Sequence, residues 1–138
     1  MAAVLEQGLV SYLTQYAGLV SLVSTRVYNF KIPQDATLPC LVYQRISTPR
    51  IQTHDTSGSG SDLSSPRFQF DAWATTSASV KAITDQVRAA MNGKSGTIGT
   101  AGNAVTIQGA LVDDEAPSYD PDTELFRSRS DYIIWHVD

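Results

Sequence analysis

The sequence predicts an α+β domain in which amphipathic helices cover one face of a sheet. In the segment RFQFDAWA, Phe68, Phe70 and Ala72 alternate with polar residues, and this period of two is typical of a strand with one covered face. The segment TTSASVKAITDQVRAAMNG follows directly. Its apolar residues share one helical stripe: Val80, Ile83, Val87 and Met91. Such a helix is the natural cover for the apolar face of the strand.

A single domain is predicted over residues 1–138, because a chain of this length buries one two-layer core. Hydrophobic residues make up 42% of the sequence and charged residues 17%, which are globular values. The net charge of −4 repels phosphate backbones and disfavours general nucleic-acid binding. Cys40 stands alone in the apolar run LPCLVYQRI, which predicts a buried structural thiol and neither a disulfide nor a cysteine metal site.

The N-terminal segment predicts a helix that Gly18 ends, with a short second turn through Leu19, Leu22 and Val23. It has no early Lys or Arg, and polar residues interrupt every apolar run, so neither a signal peptide nor a membrane span is indicated. We therefore expect a soluble protein made in the cytoplasm. Residues 27–30 predict a short strand. Residues 38–47 predict another, covered on both sides for part of its length because apolar residues fall on both faces.

The central helix has recognisable ends, and long polar segments lie on either side of the strand-to-helix unit. Thr75 or Thr76 is predicted to cap the first turn of the helix, and Gly93 to end it. Residues 48–65 are rich in Ser, Thr, Gly and Asp. A loop of this length in a compact domain is often functional, which favours a partner-binding arm. The segment KSGTIGTAGNA predicts a flexible turn.

The C-terminal third of the chain predicts a β-hairpin. Residues 105–111 and 125–137 each alternate in hydrophobicity, and EAPSYDPDTE between them, with its two prolines, predicts the connection. Symmetric pairing would place Asp113 and Asp114 beside Arg127 and Arg129. Each pair of opposite charges across a strand ladder adds about 0.2–1 kcal/mol of stability. Cross-strand pairing is therefore a simpler explanation of this charge cluster than a functional role.

Motifs that could carry chemistry are incomplete. The segment GKS ends a phosphate-binding loop only if a glycine stands five places before Gly93, where this chain has Arg88. The acids near the hairpin turn lack the spacing of a calcium-binding loop: Asp113, Asp114, Glu115, Asp120, Asp122 and Glu124. His54 has Asp55 and Ser57 nearby, yet a Gly/Ser-rich loop does not hold the geometry of a catalytic triad. We therefore expect no catalytic residue, cofactor or metal.

Three segments resemble a known family in order and spacing. They are the strand LPCLVYQRIST, the segment FQFDAWATT with the helix that ends VRAAMNG, and the closing segment DDEAPSYDPDTELFRSRSDYIIWHV. Together they resemble the small tail-completion proteins of long-tailed bacteriophages and prophages, also called tail terminators or tail-to-head joining proteins. The resemblance covers residues 19–137, and it rests on the strand pattern and on D-x-W and Y-D-P-x-T elements, not on a catalytic signature.

The resemblance implies an α+β fold with a mostly antiparallel sheet of four to five strands and two helices packed on one face. It implies a structural virion protein without enzyme activity that caps the tail tube as a hexameric ring, ends tail polymerisation and joins the tail to the head connector. The implied partners are further copies of the chain, the tail tube protein and the head-tail connector or stopper protein. DNA would pass through the lumen without specific binding. The implied location is the virion tail, after assembly in the bacterial host cytoplasm, with no membrane contact.

A ring protein needs surfaces that meet its neighbours, and sheet edges and long polar loops supply them. We expect them in residues 48–65 and 116–124. The candidate interaction residues are Arg45, Arg50, His54, Asp55, Asp113, Asp114, Tyr119, Asp120, Arg127 and Arg129. The alternatives are a head-side connector or stopper, another minor tail protein or, from a different class, a small metal-dependent hydrolase or binding module that uses the hairpin acids. A nucleic-acid-binding domain is disfavoured by the net charge.

Overall fold

Three helices and nine strands make up the described part of the chain. The computed structural model describes residues 5–34, 37–48, 50–51, 63–99 and 105–137. The helices are α1 (Leu5–Leu13), α2 (Ala17–Val23) and α3 (Ser77–Met91). The strands are β1 (Val27–Asn29), β2 (Cys40–Ser47), β3 (Arg50–Ile51), β4 (Leu63–Ser64), β5 (Arg67–Ala74), β6 (Gly96–Ile98), β7 (Val105–Ile107), β8 (Gly109–Asp120) and β9 (Leu125–Val137).

Seven of the described strands form one sheet, in the order β1-β2-β5-β9-β4-β3 with β8 paired to β9. Only β1 and β2 are parallel, and every other neighbouring pair is antiparallel. β5 and β8 pair with the same stretch of β9, so they lie on its two sides. β1 and β8 are therefore at opposite edges of the sheet. The predicted fold class is confirmed: β1, β2, β5, β9 and β8 are the five main strands, and the two-residue strands β3 and β4 continue β2 and β5 in register.

The helices lie on one face of this sheet and bury the core there. Phe68 and Phe70 of β5 and Tyr132 of β9 are fully buried, and the rings of Phe70 and Tyr132 meet edge to face with centroids 5.6 Å apart. The predicted stripe of α3 covers them, and all four of its members are buried: Val80, Ile83, Val87 and Met91. The alternation of β5 thus sets which sheet face is the core.

The predicted ends of α3 are confirmed. The Thr76 hydroxyl accepts a hydrogen bond from the Ser79 amide at 3.2 Å, which satisfies one of the open N–H groups of the first turn. The helix ends at Met91, and Gly93 follows with φ of +81°, a left-handed conformation that glycine adopts without strain.

Gly18 does not end the first helix. α1 stops at Leu13, where the Thr14 hydroxyl bonds back to the Val10 carbonyl at 2.7 Å, and Gly18 lies inside α2. Its missing side chain lets α2 approach the Gln86 side chain of α3 closely. The predicted short second turn is thus a separate helix of seven residues.

The hairpin is longer than predicted, because EAPSYD belongs to β8 and only residues 121–124 form the turn. Pro117 fits because β8 is an edge strand, where a missing N–H breaks no ladder bond. The turn at residues 121–124 sets the register, which places Arg129 opposite Ala116 and Arg127 opposite Ser118; a bulge between Val112 and Asp114 shifts the pairing farther from the turn. The predicted alignment of these arginines with Asp113 and Asp114 is therefore wrong at the level of the backbone.

The other predicted strands and loops are revised in detail. The first half of β2 is buried on both faces, as predicted, and burial raises the pKa of the Cys40 thiol to about 11. Within residues 48–65, β3 and β4 form a short antiparallel pair, and residues 52–62 lie outside the described residues. The glycine-rich segment is more than a turn, because β6 pairs with β7 and Ile98 is buried. None of the described helices is long and apolar enough to cross a membrane.

Candidate interaction surface

The sheet face that points away from the helices carries charged side chains from three adjacent strands. Alternation in β5 places polar residues opposite the buried phenylalanines, and the same period in β9 gives three charged residues on this face. β8 adds two aspartates at the bulge. We call this set the ion-pair network: Arg67, Asp71, Asp113, Asp114, Arg127, Arg129 and Asp131.

Each arginine of the network has a carboxylate partner. Arg67 bonds to Asp113 and lies 3.4 Å from an Asp131 oxygen. Arg129 reaches Asp114 at 2.9 Å and Asp131 at 3.7 Å. Asp131 therefore stands between two guanidinium groups, and the aspartates of the bulge bind the outer side of each.

The second part of the network lies on the neighbouring pairs of β5 and β9. Arg127 donates to an Asp71 oxygen at 3.1 Å, and Gln69 donates to the same carboxylate at 3.0 Å. The Arg127 guanidinium also stacks 5.5 Å above the Trp73 ring. Asp71 is well covered, with 10% of its side chain exposed, so its charge depends on these donors.

Burial dominates the electrostatics of Asp131. Desolvation raises the pKa of its carboxyl group; Arg129 and Arg67 act in the opposite direction and only partly offset it. The carboxylates of Asp114 and Asp113 add a further raising effect. Ionisation of the Asp131 carboxyl group is therefore less favourable in the folded chain than in water.

The tip of the β8–β9 hairpin is a structural turn with one exposed aromatic residue. Asp120 accepts a bond from the Asp122 amide at 3.1 Å and another from the Thr123 hydroxyl at 3.0 Å, which is the usual role of Asp in a turn. Tyr119 packs against Phe126 with ring centroids 4.8 Å apart, and about half of its surface stays exposed. The tip therefore offers Tyr119 for contact, while Asp120 is used internally.

A groove lies on the helix side of the same hairpin, between α3 and the inner face of β8 and β9. Its volume is about 630 Å³. We call it the α3 groove; its lining includes Ala78, Val80, Thr84, Pro117, Phe126 and Ser128. Arg88 stands at its rim, bound to Glu115 at 2.9 Å and to Asp85 at 2.8 Å.

The predicted interaction residues do not form one patch. Asp113, Asp114, Arg127 and Arg129 meet in the ion-pair network, whereas Arg45 lies on the helix side of the sheet. There Arg45 binds Glu6 of α1 at 2.8 Å and stacks over Phe68 at 5.3 Å, so it ties a helix to the sheet. Arg50 belongs to β3, and its side chain is not described. His54 and Asp55 lie outside the described residues.

Three residues of the network were missed in the sequence: Arg67, Asp71 and Asp131. The signal for Arg67 and Asp71 was present, because both alternate with Phe68 and Phe70 and must therefore face away from the core. Their partners could not be named, since Arg67 and Asp113 are 46 positions apart and meet only through strand order.

The acids near the hairpin turn do not converge. Asp113, Asp114 and Glu115 each bind a different arginine, and Asp120 holds the turn. Among the described residues, no group of three or more His, Cys, Asp or Glu side chains is placed to hold a metal ion. Nothing in this arrangement favours the metal-dependent hydrolase or binding module.

The described part of the chain has one packed sheet face, one face of paired charges and a groove at the sheet edge, an arrangement that is compatible with a structural assembly protein. The chain belongs to the family of tail completion protein gp17, whose model matches residues 7–137. It is therefore a structural protein of a bacteriophage-type virion tail.

The fold itself is shared with a solved assembly. A chain of the structure "Virion of native gene transfer agent (GTA) particle" superposes with a TM-score of 0.67 and 17% sequence identity. The alignment covers 99% of this chain and 92% of that chain. At this identity the similarity is one of fold. A comparison with curated protein sequences finds no match.

Proposed function

We propose that this chain caps the tail tube as a ring of six identical copies, ends tail polymerisation and provides the joining surface for the head connector. The observation that carries this proposal is the match of residues 7–137 to the tail completion family. It spans both faces of the sheet, the hairpin and the α3 groove, so all the surfaces described above belong to the part of the chain that the family shares.

The outer edge of β8 supports a finite assembly. Near its start, the Ala110 carbonyl accepts from the Gly93 amide at 2.7 Å, and the Val112 amide donates to the Asn92 side chain at 3.0 Å. Further along, the Glu115 amide bonds to the Asp114 carboxylate at 3.0 Å. Such satisfied groups blunt an edge against uncontrolled strand addition.

Pro117 continues this protection, because it has no N–H to offer to an added strand. A neighbouring copy would therefore meet this edge through side chains and not by extending the sheet. Side-chain contacts have a fixed geometry, which suits a ring that closes after a set number of copies.

The charge distribution is compatible with DNA moving past the protein. The net charge is −4, and every arginine of the ion-pair network is bound to a carboxylate. Phosphate binding depends on free Lys and Arg side chains that release counterions. A surface whose arginines are already neutralised would let DNA pass through a lumen without holding it.

The test is to add the purified protein to growing tail tubes and to image the tube ends by negative-stain electron microscopy. We expect six-fold caps at one end of the tubes and an arrest of their elongation. Parallel binding to purified head-side connector complexes separates this function from that of a head-side connector or stopper. Continued elongation with bare ends would contradict the proposal, and binding to connector complexes alone would favour the head-side alternative.

A further inference from the structure

Charge is distributed unevenly along this chain, and the fold places the two extremes at opposite edges of the main sheet. Residues 7–54 contain four basic residues and one acidic residue, whereas residues 105–138 contain two basic and eight acidic residues. The first segment supplies β1 and β2, and the second supplies β8 and β9. Since β1 and β8 lie at opposite edges, one edge of the subunit is basic and the other is acidic.

At the acidic edge, the unpaired carboxylates are concentrated at the hairpin turn. The acidic side chains nearer the bulge are bound to arginines of the same chain, so little of their charge is available to a partner. Asp122 and Glu124 are exposed, and none of the ion pairs among the described residues includes either of them. Tyr119 lies beside them with 48% of its surface exposed. We call Tyr119, Asp122 and Glu124 the acidic tip.

At the opposite edge, basic side chains flank β1. Lys31 follows the strand, is exposed, and takes part in none of the ion pairs among the described residues. Arg26 precedes the strand, and its Nε donates to the Pro39 carbonyl at 2.8 Å, which leaves the two terminal nitrogens of the guanidinium for a partner. Phe30 lies beside Lys31 and is 64% exposed. We call Arg26, Phe30 and Lys31 the basic edge; Asp35, the one acidic residue of this part of the sequence, lies outside the described residues.

The backbone of β1 favours contact through these side chains and not through an added strand. The Val27 amide donates to the Thr25 carbonyl at 2.8 Å, and the Lys31 amide donates to the Asn29 carbonyl at 2.8 Å. These amides are therefore occupied within their own segment, as several groups of β8 are at the other edge. Edges of this kind resist strand addition, so a partner is bound by what the side chains offer.

We propose that the acidic tip of one copy binds the basic edge of the next copy in the ring. This inference rests on the proposed function, because it requires copies of the chain to assemble. Arg26 and Lys31 would pair with the carboxylates of the tip, which have no such partner in their own chain. The exposed rings of Phe30 and Tyr119 would supply the apolar part of the contact.

The signs of the two charges favour a ring over a two-fold dimer. Contacts between two different surfaces join copies head to tail, and such contacts close into a ring when the rotation between copies permits. In a two-fold dimer each surface would meet its own copy, so like charges would face each other and disfavour it. Opposite charges at opposite edges therefore select the head-to-tail contact.

Charge reversal on each side of the contact tests the proposal. One variant carries Arg26→Glu/Lys31→Glu and the other carries Asp122→Lys/Glu124→Lys. Each is examined alone and in an equal mixture, by light scattering and by the fraction of capped tail tube ends, after circular dichroism has shown that it folds. Each variant alone should raise the concentration for half-assembly roughly tenfold or more, because like charges then face each other at every contact.

The equal mixture should restore assembly, because copies that alternate around a ring of six pair opposite charges at every contact. Raising the salt concentration should weaken assembly of the parent chain and of the mixture alike. Lys31→Glu alone keeps the Arg26 hydrogen bond and should act in the same direction with a smaller effect. The matched control is Lys81→Glu, which makes the same change of charge at a 75% exposed position on α3 and should leave assembly unchanged.

The outcomes separate this contact from the function on which it rests. If the parent chain caps tube ends and either variant does so equally well alone, the contact is wrong and the proposed function stands. The same conclusion follows if the mixture of folded variants fails to restore the caps, or if Lys81→Glu loses as much assembly as Lys31→Glu. A parent chain that assembles neither in solution nor on tube ends would overturn both proposals.

Discussion

The two faces of the main sheet are built from the same strands but are held together by different forces. On the helix face, Phe68, Phe70 and Tyr132 are buried under α3 and contact each other directly. On the other face, Arg67, Asp71 and their partners stay partly in solvent and bind one another through ion pairs. The comparison teaches that alternation along a single strand can place the side chains that stabilise the fold on one face and the side chains that are available to other proteins on the other.

The largest expected difference between the faces is in the free energy of unfolding that is lost when a side chain is truncated to alanine. Phe70→Ala should lower the free energy of unfolding by about 3–5 kcal/mol, because it leaves a cavity in the core. Gln44→Ala, on the face away from the helices, should change it by less than about 1 kcal/mol. Urea denaturation followed by circular dichroism measures both. Equal losses in the two variants would mean that both faces are packed in the same way.

An intermediate effect is expected where the polar face holds a covered charge. Arg127→Met keeps the apolar stem over Trp73 but removes the guanidinium from Asp71, which is 10% exposed. We expect a loss of about 1–2 kcal/mol, because a covered carboxylate loses its charged partner. The double variant Asp71→Asn/Arg127→Met should recover part of this loss in a double-mutant cycle.

The matched control is the pair of Lys81 and Asp85 on the outside of α3. Lys81 is 75% exposed, and its nitrogen lies 3.2 Å from an Asp85 oxygen. Exposed pairs of this kind contribute little, so Lys81→Met should change the stability by less than about 0.5 kcal/mol. A loss as large as that of Arg127→Met would show that burial of the partner is not what matters.

Much of this division between the faces could be predicted from the sequence. The alternation of RFQFDAWA separates Phe68 and Phe70 from Arg67 and Asp71, and the stripe of α3 identifies the covered side. Local signals also located the Thr76 cap and the change of direction at Gly93. These features depend on residues close together in the chain, where the physics of capping and periodicity is decisive.

The remainder depended on interactions between distant segments. The prolines of EAPSYDPDTE indicated a connection, yet an edge strand tolerates Pro117 and only strand order reveals that β8 is an edge. The turn lies at residues 121–124, and this position pairs Arg127 with Ser118 and not with Asp113. The α3 groove could not be predicted either, since it forms between a helix and a hairpin that are separated along the chain by β6 and β7.

The smallest expected effect is a pH dependence that has opposite signs at two aspartates. Burial raises the pKa of Asp131 in the folded chain, so its contribution to stability is fully present below the unfolded pKa and is lost as the pH rises through the folded value. Asp131→Asn should therefore gain stability relative to the parent chain as the pH rises through this region.

Asp85 should show the opposite sign. The hydrogen bond from Lys81 lowers the pKa of Asp85, so its contribution to stability is present at higher pH and is lost on acidification. Asp85→Asn should lose stability relative to the parent over the same rise. Urea midpoints measured at intervals between about pH 3 and pH 6 bracket the ordinary carboxyl range and give both slopes. Slopes of the same sign would show that desolvation does not outweigh the two arginines at Asp131, and the polar face would then be held as loosely as the outside of α3.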